Sequence, residues 1–139
     1  MGGDRPIVYI VDDDSSIRRS LGRVIRAVDL DVETFSSAEG FLDHKRSGKR
    51  SCLVLDLRLG GMSGRELKRR LDGAGESPPT IFMSAHEEDL AAARAEEKDA
   101  VDCLEKPFPE DIFLRTIYSA LGLAGNRPNG NRPPVAREE

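Results

Sequence analysis

The sequence predicts an α/β fold in which five parallel strands alternate with five helices. Two observations carry this reading. Short apolar runs recur five times, separated by stretches with helical spacing, an alternation that sandwiches a parallel sheet between helix layers. The first, third and fourth runs are continuously apolar, as strands buried on both faces are, while the second and fifth are mixed, as edges can be. The strand order 2-1-3-4-5 satisfies that pattern and puts the switch point between strands one and three. This is the flavodoxin-like (βα)5 three-layer sandwich.

Taken in order, residues 1–5 are a polar lead-in, and Pro6 to Val11 form the first strand, ending at Asp12-Asp13-Asp14. Ile17, Leu21, Val24, Ile25 and Val28 recur at helical spacing, with Asp14 or Ser15 available as N-cap and Arg18, Arg19, Arg23 and Arg26 on the opposite face. Asp31 to Phe35 alternates like a half-exposed strand. Ser36 or Ser37 can cap a second helix that turns Phe41 and Leu42 inward. His44 to Arg50 reads as a helix end and an exposed basic loop, with His44 solvated.

The third strand, within Ser51 to Leu59, carries Asp56 near its end, and Gly60-Gly61-Met62-Ser63-Gly64 leads into a helix through Leu67 and Leu71. Thr80 to Met83 form the fourth strand, closed by Ser84-Ala85-His86. Glu87 to Lys98 is alanine- and glutamate-rich and predicts a helix. Val101 to Leu104 form the fifth strand, followed by Lys106-Pro107. The last helix starts near Glu110 and turns Ile112, Phe113, Ile117, Ala120 and Leu121 inward. Residues 5–123 make one domain, and the Asn-, Pro- and Gly-rich residues 124–139 read as a flexible tail or truncated linker.

Composition narrows the function classes. The 139 residues, 38% hydrophobic and 33% charged, suit one globular domain with a proper core. A formal charge of −4 argues against a free-standing nucleic-acid binder. No apolar run approaches the ~20 residues of a membrane span, and nothing before the first strand reads as a signal peptide. Cys52 and Cys103 read as reduced, buried thiols. A soluble cytoplasmic protein is expected.

In such a fold every strand delivers its C-terminal end to one edge, where open parallel sheets bind ligands. Asp12 and Asp13, Asp56, Ser84 and Lys106 all arrive there. Crowded carboxylates repel unless a cation joins them, and all-oxygen ligation favours a hard divalent ion such as magnesium. Magnesium takes few carboxylates and completes its shell with water and phosphate oxygens, so the rim suits a phosphoryl group. Asp56, read at its reference pKa of ~3.9, is an ionised nucleophile that needs no base. Lys106 can neutralise one phosphoryl oxygen and Ser84 can donate to another.

The segments VYIVDDD, CLVLDLRLGGMSG, TIFMSAH and AVDCLEKPF resemble the receiver domain of two-component response regulators, most closely receivers that precede a LuxR-type helix-turn-helix. The resemblance implies that Asp56 accepts a phosphoryl group from a sensor histidine kinase or a histidine phosphotransfer protein. It assigns Asp13, Asp56 and the Arg58 carbonyl as Mg2+ ligands, with Asp12 acting largely through a water. A cis bond before Pro107 follows from it as well. So does homodimerisation through helix 4, strand 5 and helix 5.

Three positions depart from the family pattern. Gly60 replaces a common proline and should loosen its loop. Asp99 replaces a common glycine, in a turn where aspartate tolerates a left-handed backbone. Cys103 replaces the usual aromatic residue at the switch position, which predicts a different output surface or a weak conformational switch. Arg58 and His86, each two residues beyond a site residue, are expected to tune the lifetime of an acyl phosphate. Two other readings compete. A haloacid-dehalogenase-type phosphatase could use Asp12-x-Asp14, but it leaves Asp56 unexplained. A receiver-like interaction module would keep the fold without the switch.

Overall fold

The computed structural model describes residues 5–97 and 99–123. Strands β1 (Ile7–Val11), β2 (Asp31–Phe35), β3 (Ser51–Asp56), β4 (Thr80–Ser84) and β5 (Asp102–Glu105) alternate with helices α1 (Ser15–Ala27), α2 (Ala38–Asp43), α3 (Gly64–Ala74), α4 (Glu87–Glu96) and α5 (Glu110–Ala120). The five strands form one parallel sheet in the order β2-β1-β3-β4-β5. The expected tail, 124–139, lies outside the described residues.

Strand periodicity divides the core in two. Val8, Ile10, Cys52, Val54, Ile81 and Met83 point to one face and pack on Ile25, Phe113 and Ile117 from α1 and α5. Tyr9, Val11, Leu53, Leu55 and Phe82 point to the other and pack on Phe41, Leu67 and Leu90 from α2, α3 and α4. Alternate side chains on a strand must face opposite ways, so a run such as Ile7–Val11 supplies both layers at once. Register levels the strand ends: Val11 lies opposite Leu55, and Asp56 lies opposite Met83, one residue before Ser84.

Several expectations are corrected. Leu42 is 36% exposed while Phe41 is buried, because consecutive positions on a six-residue helix lie about 100° apart and only one can face the sheet. Val101 precedes β5 and is 38% exposed, although its amide still donates to the Thr80 carbonyl at 2.8 Å. Helix α4 ends at Glu96 rather than 98. His44 is not simply solvated: its Nε2 sits 2.9 Å from Glu33 Oε1, and its ring lies against Phe35 at 5.1 Å. The basic loop is largely anchored, with Arg46 over the Phe41 ring, Lys49 paired with Asp31, and Arg50 donating to the Leu121 carbonyl. Cys52 is buried as expected, but Cys103 is only half-buried.

Asp99 does not use a left-handed backbone; among the described residues the only non-glycine with positive φ is Asp29. The Asp99 carboxylate instead meets Lys68, whose side chain is almost wholly buried and whose Nζ lies 2.8 Å from Asp72 Oδ1 and 3.1 Å from Asp99 Oδ2. Burial pulls the Lys68 pKa down, but hydrogen bonds to the two carboxylates outweigh it and leave the value raised. Removing the cation leaves two exposed acids that water can solvate, whereas removing the acids strands a buried cation. Lys68→Met should therefore cost less than about 1.5 kcal/mol, and Asp72→Asn with Asp99→Asn about 3 kcal/mol. Urea unfolding of both variants checks the asymmetry; equal losses would contradict it.

Candidate functional site

The C-terminal edge of the sheet gathers the polar residues that end its strands. Asp12 follows β1 and is fully buried; its Oδ1 accepts from the Asp14 amide at 2.9 Å, and Arg18 donates to its carbonyl at 2.8 Å. Asp13, beside it, is exposed. Asp14 belongs to α1 rather than to the pocket, because its Oδ1 accepts from the Ser16 and Ile17 amides as an N-cap. Asp56 closes β3 and is nearly buried, with Oδ1 accepting from the Arg58 amide at 3.0 Å.

Lys106 arrives from the turn after β5, where the Lys106–Pro107 bond is cis as expected. Its Nζ lies 2.7 Å from Asp12 Oδ2 and 3.1 Å from Asp56 Oδ2, so one ammonium bridges two strand ends. Ser84 is buried at the end of β4, and its Oγ accepts from the His86 amide at 3.0 Å. His86 is exposed and stands at the N-cap position of α4. Cys103 pairs in register with Phe82 on β4 and packs on the α4 side of the sheet. Burial pushes its thiol pKa up, the opposite of what a reactive cysteine needs.

Electrostatics modify one expectation. Asp56 does not keep its reference pKa: burial, reinforced by the negative charge of Asp12, raises it to about 6 against the pull of the Arg58 amide and Lys106. The carboxylate is still mostly ionised at neutral pH, so it remains a nucleophile. For Lys106, burial alone would lower the pKa, but the Asp12 hydrogen bond and the charge of Asp56 outweigh it. The ammonium is therefore charged throughout the neutral range.

Oxygens of Asp12, Asp13 and Asp56 lie within 4.8 Å of one another. Three carboxylates against one ammonium leave about two negative charges at a partly buried rim. A hard divalent cation matches both the donor type and that excess charge. A second acidic trio, Asp72, Glu97 and Asp99, already has Lys68 on two of its members. Sequence reasoning missed both Lys68 and Asp89, whose Oδ2 receives Arg58 Nε at 2.5 Å. Each pairing links residues 31 positions apart, Lys68 with Asp99 and Arg58 with Asp89, and so leaves no local signal.

Such a rim, with a buried acid at its centre and an ammonium against it, on a parallel sheet of this order, marks an α/β domain of the receiver type. The family model of the response regulator receiver domain matches residues 8–118, and the chain belongs to that family. It is 39% identical over 130 residues to the response regulator protein TodT of Pseudomonas putida, covering 94% of this chain and 57% of that protein. It is 34% identical over 131 residues to the transcriptional regulatory protein FixJ of Bradyrhizobium diazoefficiens, covering 94% of this chain and 63% of FixJ. The chain thus spans a little over half the length of these relatives. Among solved structures, the response regulator StyR superposes with a TM-score of 0.79 at 40% identity, covering 86% of this chain and 60% of StyR. FixJ-N superposes with a TM-score of 0.75 at 34% identity, covering 84% of this chain and 93% of FixJ-N. The protein is a receiver domain of two-component signalling, and none of its described helices is long and apolar enough to cross a membrane.

Proposed function

We propose that Asp56 is the phosphoacceptor, taking a phosphoryl group from a sensor histidine kinase or a histidine phosphotransfer protein in the cytoplasm. The observation that carries this reading is the Lys106 ammonium spanning Asp12 and Asp56 at the mouth of a buried carboxylate pocket. An ionised Asp56 oxygen attacks phosphorus, the new O–P bond replaces the donor's P–N bond, and the imidazole leaves with a proton. Lys106 neutralises one phosphoryl oxygen, and the Ser84 hydroxyl donates to another. Asp12, Asp13, Asp56 and the Arg58 carbonyl would hold Mg2+, which when bound neutralises charge between the acid and the incoming group. Arg58 and His86, beside the pocket mouth, tune how readily water reaches the product.

Incubation with acetyl phosphate and magnesium, read by intact mass, should add one phosphoryl group to the wild-type chain. The label should be absent in Asp56→Asn and absent when magnesium is chelated. Steady turnover of a phosphomonoester without a stoichiometric label would overturn the reading in favour of a hydrolase.

Output through a homodimer built on α4, β5 and α5 is the natural consequence. A half-buried Cys103 in place of a large aromatic side chain favours a second version, in which the chemistry is retained but this face switches weakly. Spectra of the beryllofluoride complex that leave α4 and β5 unmoved would support the weak switch, and a large shift there would remove it.

A further inference from the structure

Arg58 leaves the β3–α3 loop two residues after Asp56, yet its guanidinium is held by the first turn of α4. Its Nε donates to Asp89 Oδ2 at 2.5 Å, its Nη2 lies 3.5 Å from Asp89 Oδ1, and Glu88 Oε2 stands 3.9 Å away. The pair joins the loop that carries Asp56 to the helix that follows Ser84. Stability does not require it: the Arg58 side chain is more than half exposed, and an exposed ion pair contributes only about 0–1 kcal/mol. Glu87 and Glu88 already supply acids to the N-terminal end of the α4 dipole. Asp89 also lines, with Arg58, Leu57, Ser63, Arg65 and Ala92, a cleft of about 250 Å³ between α3 and α4.

Asp89 has a lowered pKa, owed first to its hydrogen bond from Arg58, with smaller pulls from the charge of His86 and the hydroxyl of Ser84. Arg58, from the loop beside the pocket, is thus held by a carboxylate that takes no part in the proposed chemistry.

We infer that Asp89 is a positioning residue for phosphoryl transfer: an internal anion that holds Arg58 away from Asp56 and competes with the phosphoryl group for it. The inference rests on the receiver reading and deepens it. A phosphoryl group brings a charge of about −1.5 to −2 and three acceptor oxygens, a stronger attraction for a guanidinium than a carboxylate offers. Arg58 then divides its time between two anions. While it stays with Asp89, water approaches phosphorus without obstruction. The length of the phosphorylated state is set in part by a residue on a different element from the acceptor.

Asp89→Asn removes the charge and keeps the size. After labelling with acetyl phosphate and magnesium, its half-life should lengthen about three- to fivefold, and beryllofluoride binding by calorimetry should tighten by a similar factor, the span an exposed charge pair carries. In an Arg58→Gln background, Asp89→Asn should change neither quantity, because no guanidinium remains to be released. A merely structural loss at the start of α4 would shift both backgrounds alike, and that result overturns the inference. A labelled wild type whose half-life equals that of Asp89→Asn overturns it alone. A wild type that takes up neither phosphoryl nor beryllofluoride overturns the receiver reading and this inference together.

Discussion

Gly64→Ala should lower the stability of the fold by about 3 kcal/mol, the upper range for forcing an extra carbon into a closed contact. Gly64 opens α3 directly after the loop that follows Asp56. A Cβ built there would stand 2.3 Å from the Asp56 carbonyl oxygen and 3.1 Å from Leu57 Cα. Both obstacles are backbone atoms, at the end of β3 and in the residue after it, so no side-chain rotation relieves the clash. The helix must lift off the sheet or the end of β3 must move, and either displaces Asp56. Urea denaturation would show a lowered midpoint, and phosphorylation of the surviving folded fraction should slow as well. By contrast, a Cβ at Gly60 would meet nothing within 4 Å, so Gly60→Ala should show no such loss. An unchanged midpoint for Gly64→Ala would mean that α3 does not rest on the strand end.

Asp56→Asn, in the absence of divalent metal, should stabilise the protein by about 1–2 kcal/mol at pH 7.5. The folded-state pKa is raised, first by burial, from 3.8 to about 6. A proton therefore binds the folded state more tightly than the unfolded one. As pH rises through the interval from about 4 to about 6, the unfolded chain releases its proton first, and the fold loses stability across that window. Above it the full cost is present, at most about 3 kcal/mol at 1.36 kcal/mol per pKa unit. Asparagine escapes that cost but gives up one carboxylate acceptor among the bonds to Lys106 and the Arg58 amide, which reduces the net gain. The advantage should therefore vanish near pH 4. Millimolar magnesium should reverse the order at pH 7.5 by stabilising the wild type more than the variant. Melting curves of the two proteins across pH, with and without the ion, check the sign; a wild type more stable than Asp56→Asn in chelator at pH 7.5 would contradict it.

Strands β1, β3 and β4 were legible because burial on both faces demands unbroken apolar runs. The same physics marks where they stop. Ile7–Val11 ends at Asp12, and Ser51–Asp56 ends on a carboxylate, since a charge is tolerated only where the sheet reaches its rim. Those two boundaries, with Ser84 closing β4 and Lys106 following β5, name the pocket before any coordinates do. Helix rotation was less legible. Phe41 and Leu42 are both apolar, and only the docking of a short α2 chose Phe41. The start of β5 was misplaced by one residue because Val101 has strand character but no neighbour covering it.

By itself the sequence determined the strand order and the strand that each polar site residue ends or follows. These follow from periodicity and from the cost of burying charge, both of which act along the chain. Only the tertiary structure decided that burial raises the Asp56 pKa to about 6, that Lys68 is buried between Asp72 and Asp99, and that Arg58 is engaged by Asp89. Those properties depend on distances between side chains far apart in sequence, and a difference of a few ångströms in packing changes their energies more than any local pattern records.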